Sequence, residues 1–296
     1  MENILIIKTG AFGDVVRTTV LLHLFKGNIY WITDSYNIPL FPDDFPNLKL
    51  ISSDDLPESL FTQTFDLVIN LEEDIDLARM LSTIKSERII GTYWGENSIH
   101  YTENSAAWFD MSLISVYSKE KADKIKLDNK LSYQEILYGM LGESFQGETY
   151  QLYKTNLFKP NRQVIIGLEK NVGTRWPNKQ WYGYNQLAEI LQAGGLNSFF
   201  FEHRKDLRKY MRDIEQCSLV ITGDTLAMHI ALAYQIPCIA IFNCTSPNEI
   251  YDYGILTKMV SPMLKEVYYK TVFNPAAISA IRVEEVEKKV KELLMK

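Results

Sequence analysis

Cysteine is scarce in this sequence: three among 296 residues, Cys217, Cys238 and Cys244, all in the second half. An odd, sparse set excludes a disulfide-stapled scaffold and fits reduced thiols. Cys238 and Cys244 flank the apolar run "IAIF", as buried strand cysteines would. Positive charge is also short. Lys and Arg number 31 against 37 Asp and Glu, the formal net charge is -6, and no basic block offsets it. That balance argues against a nucleic-acid partner. No stretch approaches the ~18 uninterrupted apolar residues of a membrane span. The N-terminus has Glu2, a short apolar run and no small-residue cleavage site. A soluble, cytoplasmic protein without a signal peptide is expected, with attachment to the inner face of a membrane left open. Repeats and low-complexity tracts are missing too.

What is present is a full complement of core residues, 46% apolar with 23% charged, over a length that suits two domains. Short buried-type strands alternate with amphipathic helical stretches. "NILIIK" is followed by the helix-like "VVRTTVLLHLF". "NIYWIT", "LKLISS", "FDLVINL" and "RIIGTYW" read as further strands, with an acidic loop "EEDID" and a helix "LARMLSTI" among them. Residues 96–160 are less regular, apart from a helix in "NKLSYQEILYGMLG", and a linker is expected near 151–162. A second alternation then runs "VIIGLE", "WYGYNQLAEILQAGG", "SFFFEH", "KDLRKYMRDIEQC", "SLVITG", "TLAMHIALAYQ" and "PCIAIFN", and ends in the charged amphipathic "VEEVEKKVKELLMK". This pattern predicts an α/β protein of two doubly wound parallel sheets. The expected domains are 1–155 and 156–282, with the helix 283–296 a candidate to pack back on the first domain.

In open α/β sheets ligands bind beyond the carboxyl ends of the strands, so strand-end residues are the candidates. Asp14 follows the first strand in "KTGAFGDVVRTT", where Gly10 and Gly13 allow a tight turn. The spacing is only G-x-x-G, short of a dinucleotide fingerprint. Asp14 is either a reactive carboxylate or the first-turn acid that favours the helix dipole. After the first strand of the second half, "GLEKNVGTRWPNKQW" gathers Lys170, Arg175 and Lys179 with Trp176 and Trp181. Cations there suit a phosphate or diphosphate; the tryptophans either wall the pocket or pack beneath the loop. In "ITGDTLAMHIALA" a strand ends and Asp224 and Thr225 start a helix, whose free N–H groups form an anion site. His229 lies on the same helical face as Thr225, as a site residue or a partly buried helix histidine. Glu202, with His203, follows "SFFF" and is placed either to take ribose hydroxyls or in an ordinary solvated loop.

Three motifs in order resemble glycosyltransferase family nine, the ADP-heptose:lipopolysaccharide heptosyltransferases: "NILIIKTGAFGDVVRTT", "RWPNKQWYGYNQLAEIL" and "CSLVITGDTLAMHIALAYQIPCIAIFNCTSPNEIYDYG". The resemblance spans the chain. It implies the GT-B fold, two facing Rossmann-like domains with the acceptor on the first and the nucleotide sugar on the second. It implies Asp14 as general base in an inverting transfer, with Gly13, Arg17 and Thr18 on the acceptor side. On the donor side it implies Lys179, Arg175, Glu202, Asp224, Thr225, Leu226 and His229. The donor is expected to be ADP-linked and the acceptor a glycan or glycolipid, with no metal or other cofactor.

The sequence departs from the family at the helix start, where Leu226 and Ala227 replace the usual Gly-Pro. The segment between "SFFFEH" and "RKYMRDIEQC" is short, and the cysteines common near the family's C-terminal end are absent. A degenerate member that binds without catalysis therefore stands as the alternative. A nicotinamide-dependent oxidoreductase is suggested only by the Rossmann-like halves, and the incomplete glycine fingerprint speaks against it. The acceptor would be chosen by loops 35–60 and 95–125, which carry no motif. Tyr93, Trp94, Tyr101 and Trp108 there are either sugar-stacking rings or structural ones.

Overall fold

The computed structural model describes residues 1–155, 164–202 and 205–295; most of the expected linker, and His203, lie outside them. The chain forms two compact units, Met1–Gln151 and Leu152–Lys296.

The first unit is built on strands β1 (Asn3–Ile7), β2 (Asn28–Thr33), β3 (Leu48–Ser52), β5 (Leu67–Asn70), β7 (Ile89–Gly95) and β8 (Ser98–Tyr101), with β4 (Thr64–Phe65) and β6 (Lys85–Ser86) a short parallel pair apart. The sheet order is β3-β2-β1-β5-β7-β8, parallel except for β8. Leu5, Ile6 and Ile7 are all fully buried, because helices cover both faces of a central parallel strand. The chain moves outward through β2 and β3 on one side of β1, then returns to β5 on the other. The sheet's switch point therefore lies between the ends of β1 and β5, beside the turn that carries Asp14. β8 closes a hairpin through Glu96 and Asn97, both with positive φ (51° and 61°). That geometry belongs to a two-residue I′ turn, but Glu-Asn is a poor signal for it.

The helix expected from Val15 onward starts earlier, at Phe12, and tightens to 3₁₀ form over Thr19–His23. The hydroxyls of Thr18 and Thr19 donate to the carbonyls of Val15 and Val16 at 2.6 and 2.7 Å. Such bonds compete with the α-helical ladder and bend it. Tyr133–Met140 opens with a capping box, Ser132 with Glu135.

The second unit holds β9 (Ile165–Leu168), β10 (Asn197–Phe200), β11 (Leu219–Gly223), β12 (Cys238–Phe242) and β13 (Leu256–Val260), ordered β10-β9-β11-β12-β13 and all parallel. Its switch point lies between β9 and β11. Ile166, Leu168, Ile221, Ile239 and Ile241 pack with Leu187, Ala188 and Leu191 of the helix Tyr184–Ala193. The C-terminal helix Val283–Leu294 joins this same core through Val283, Val286 and Val290. Its apolar face thus packs on the second unit. Each of those valines contributes roughly 1.5–3 kcal/mol of burial. All three cysteines are buried. Among the described residues no helix is long and apolar enough to cross a membrane.

Candidate functional site

Two groups of polar side chains stand at the two switch points. In the second unit, β11 ends at Gly223 and the helix Leu226–Ala233 begins three residues later. The intervening Asp224 meets Lys179, which arrives on the loop after β9 in the 3₁₀ turn Pro177–Lys179. Lys179 Nζ lies 2.9 Å from Asp224 Oδ2 and donates to the Asp224 carbonyl at 2.8 Å. His229 Nε2, one helical turn on, is 3.9 Å from Asp224 Oδ1. The Lys and Asp side chains are 20% and 15% exposed, so solvent screens the pair weakly. Burial works to raise the Asp224 carboxyl, but the charges of Lys179 and His229 outweigh it and hold the group well below the usual carboxylate range.

Several bonds brace the loop that delivers Lys179. Asn178, fully buried, donates to the carbonyls of Lys270 and Val272 at 3.2 and 2.8 Å and accepts the Asn274 N–H at 2.8 Å. Asn243, at the end of β12, donates to the Gln180 carbonyl. Trp181 donates its indole N–H to the Ile281 carbonyl at 2.8 Å, and Trp176 packs edge-on to Tyr269 at 5.3 Å. Both tryptophans therefore support the loop from within the unit. Neither Asn178 nor Asn243 was singled out in the sequence, since their partners lie 92–96 and 63 residues away and nothing local points to them.

Thr225 is the N-cap residue of the helix, its hydroxyl paired with that of Thr222 at 2.8 Å. Leu226 occupies the first helical position and is half-buried, while Ala227 to Ala233 are all buried. Arg175 is exposed on the same loop as Lys179, with its guanidinium 5.2 Å from the Trp176 ring. Glu202 is exposed and follows the edge strand β10, outside the Lys179–Asp224–His229 group.

In the first unit Gly10, with φ +77°, makes the turn after β1. A left-handed conformation of this kind is open to glycine at no steric cost. Its N–H donates to Asp34 and its carbonyl accepts from Tyr36 and Asn37. Gly13 does not bracket the turn as expected; it sits inside the first turn of the helix. Asp14, 46% exposed, pairs with Arg17 Nη2 at 2.9 Å. Arg17 is itself held between rings, 4.0 Å from the centroid of Tyr133 and 5.4 Å from that of Trp108. Its side chain is thus committed to Asp14 and to this cage. Thr18, expected on the acceptor side, is fully buried with its hydroxyl bonded to Val15; the helix turns it into the core. Tyr101 is also structural, donating to Asp110 at 2.7 Å.

A carboxylate in the first turn of a helix can accept a proton, and the N–H groups at a helix start can stabilise a departing anion. Among the described residues no three His, Cys, Asp or Glu side chains gather as a metal would need. Residues 204–271, which carry β11, β12 and the Asp224 helix, match glycosyltransferase family 9 (heptosyltransferase). No curated protein matches the sequence. Among solved structures, the chain is similar to the glycosyl transferase family 9 protein of Veillonella parvula, at 18% identity and TM-score 0.65, covering 99% of this chain and 97% of that one. It is also similar to the E. coli ADP-heptose lps heptosyltransferase II, at 16% identity and TM-score 0.62, covering 100% and 99%. The E. coli heptosyltransferase WaaC with ADP gives 15% identity and TM-score 0.61, covering 98% and 99%. At these identities the likeness is one of fold: two Rossmann-like units of GT-B type.

Proposed function

We propose that this glycosyltransferase family 9 protein moves a sugar from a nucleoside diphosphate to a hydroxyl of a cell-surface glycan or glycolipid, with ADP-heptose as donor. Solved proteins of similar fold bind ADP, or are named for ADP-heptose and lipopolysaccharide. The observation that carries the reading is the Lys179–Asp224–His229 group at a helix start on the switch point of the second unit, inside the segment that matches the family.

In the proposed step the acceptor oxygen attacks the anomeric carbon as the bond to the diphosphate breaks, and the configuration inverts. Asp14 takes the acceptor proton. The N–H groups at the start of the Leu226 helix receive charge on the leaving diphosphate. Lys179 is already paired with Asp224, so its main part is to hold the loop against the helix start. Arg175, exposed on that loop, supplies the additional cation. The reading assigns the step no metal and places the protein in the cytoplasm, where nucleotide sugars are made.

One observation favours the second reading, a member that binds without catalysis. Leu226 places a branched side chain at the first helical position, and side chains lean toward the helix N-terminus, over the N–H groups that a diphosphate would use.

The test is release of nucleoside diphosphate from ADP-heptose and a panel of other nucleotide sugars, offered with a heptose-free lipopolysaccharide. Release from one donor, abolished in Asp14→Asn, is expected. Donor binding without release supports the second reading, and the absence of both overturns the two together.

A further inference from the structure

Strand β9, in the interior of the second unit's sheet, leads into a buried carboxylate that the proposed reaction does not use. Glu169 follows β9 and is 6% exposed. Its backbone N–H donates to the Ile221 carbonyl at 2.9 Å, so its root is fixed to the carboxyl edge of the sheet. One carboxylate oxygen accepts the Tyr210 hydroxyl at 2.6 Å; the other accepts the Asn171 N–H at 2.8 Å. Tyr210 stands on the helix Leu207–Glu215, with its ring edge-on to Phe201 at 5.7 Å. Burial, together with the Glu169 charge, pushes the Tyr210 hydroxyl well up, so it remains a donor. Tyr184 is pushed the same way by burial and by Glu169.

A buried carboxylate is costly even when hydrogen bonds meet it, and apolar side chains would join a strand to a helix without that cost. The hydrogen bonds of this carboxylate hold its surroundings in place. Through Asn171 it turns the chain three residues past the strand, at the root of the loop 170–179. The far end of that loop is held by Asn178 and by the Lys179–Asp224 pair. Between these two anchors Gly173, Thr174 and Arg175 are exposed. A loop fixed at both ends presents its middle in a defined place.

We propose that Glu169, with Tyr210, is a positioning residue for the donor diphosphate, fixing the root of this loop so that its exposed middle, Gly173 to Arg175, is presented to the phosphates. The inference rests on the donor-site reading above.

The experiment is calorimetric titration of the full chain with ADP and with adenosine, the UDP/uridine and GDP/guanosine pairs run alongside. Wild type is compared with Glu169→Gln, which keeps the shape, and Tyr210→Phe, which keeps the ring. Because the loop acts on phosphate, Glu169→Gln should weaken the diphosphate about tenfold, the scale of one hydrogen bond to a charged group. Tyr210→Phe should weaken it about threefold. The matching nucleoside should stay within twofold in both variants, whereas a merely structural role would move nucleoside and diphosphate together. Parallel losses overturn the proposal, as does an unchanged diphosphate affinity. If Glu169→Gln does not fold, Tyr210→Phe decides alone. A wild type indifferent to all three diphosphates overturns the donor-site reading itself, and is seen before any variant is made.

Discussion

Replacing Lys179 by Met removes the cation and keeps most of the side-chain bulk. At 2.9 Å the Lys179–Asp224 attraction is about 6 kcal/mol at an effective dielectric near 20, much of it offset by the desolvation of both groups. Removing one partner strands the other, which typically costs about 3–5 kcal/mol. The sign of the pH dependence follows from Asp224. In the wild type its carboxyl is held below the unfolded value, so its contribution to stability is present above about pH 4 and is lost as the pH falls further. Without Lys179, burial dominates and raises the carboxyl. The charged form is then penalised at neutral pH, and the penalty is relieved as the group takes up a proton on acidification. The deficit of Lys179→Met relative to wild type should therefore be about 3–5 kcal/mol at pH 7 and shrink toward pH 5. Hydrogen exchange of the β11 and β12 amides, followed in the whole chain, reads the opening free energy of the second unit. A deficit below about 1 kcal/mol, or one that stays flat between the two pH values, would refute the argument that Lys179 holds Asp224 ionised.

Other consequences can be checked separately. Asp14→Asn should lower turnover about 10²–10⁴-fold, the usual range for a general base, while nucleotide affinity by calorimetry is unchanged. Arg17→Lys keeps the charge but loses the planar group that Tyr133 and Trp108 enclose; kcat should fall with little change in acceptor KM, whereas an acceptor-binding role would raise KM. Asn178→Ala leaves two carbonyls and one N–H of residues 270–274 without their partner. It should cost about 1–3 kcal/mol in chemical denaturation and weaken nucleotide binding along with it.

The alternation of apolar runs made most of the fold legible. β1, β9, β11 and β12 are interior strands, and their near-continuous apolar runs can hardly read otherwise. Of the edge strands, β3 and β10 were legible but β8 and β13 were not. β13 carries Lys258 at its centre, whose ammonium bonds to the Ile250 carbonyl, and so it lacks an apolar run. β8 depends on a Glu-Asn turn that gives no strong signal. Helix ends were misjudged where a side chain overrides periodicity, as at Thr18 and Thr19, or where Trp181 is pinned to Ile281 and delays the next helix to Tyr184. At the candidate site, the motif residues Asp14, Lys179, Asp224 and His229 were visible because each follows a strand. Their pairing was not. That Arg17 serves Asp14, that Thr18 faces the core and that Glu169 binds Tyr210 are matters of three-dimensional contact.

The most direct test of the central claim, that the second unit holds a nucleoside diphosphate at the Lys179–Asp224 helix start, is calorimetric titration of the wild-type chain with ADP, UDP and GDP. The account predicts saturable micromolar binding of ADP, weakened at least tenfold in Arg175→Ala, the scale of one charge-assisted contact. Silence from all three nucleotides in a folded sample would contradict it.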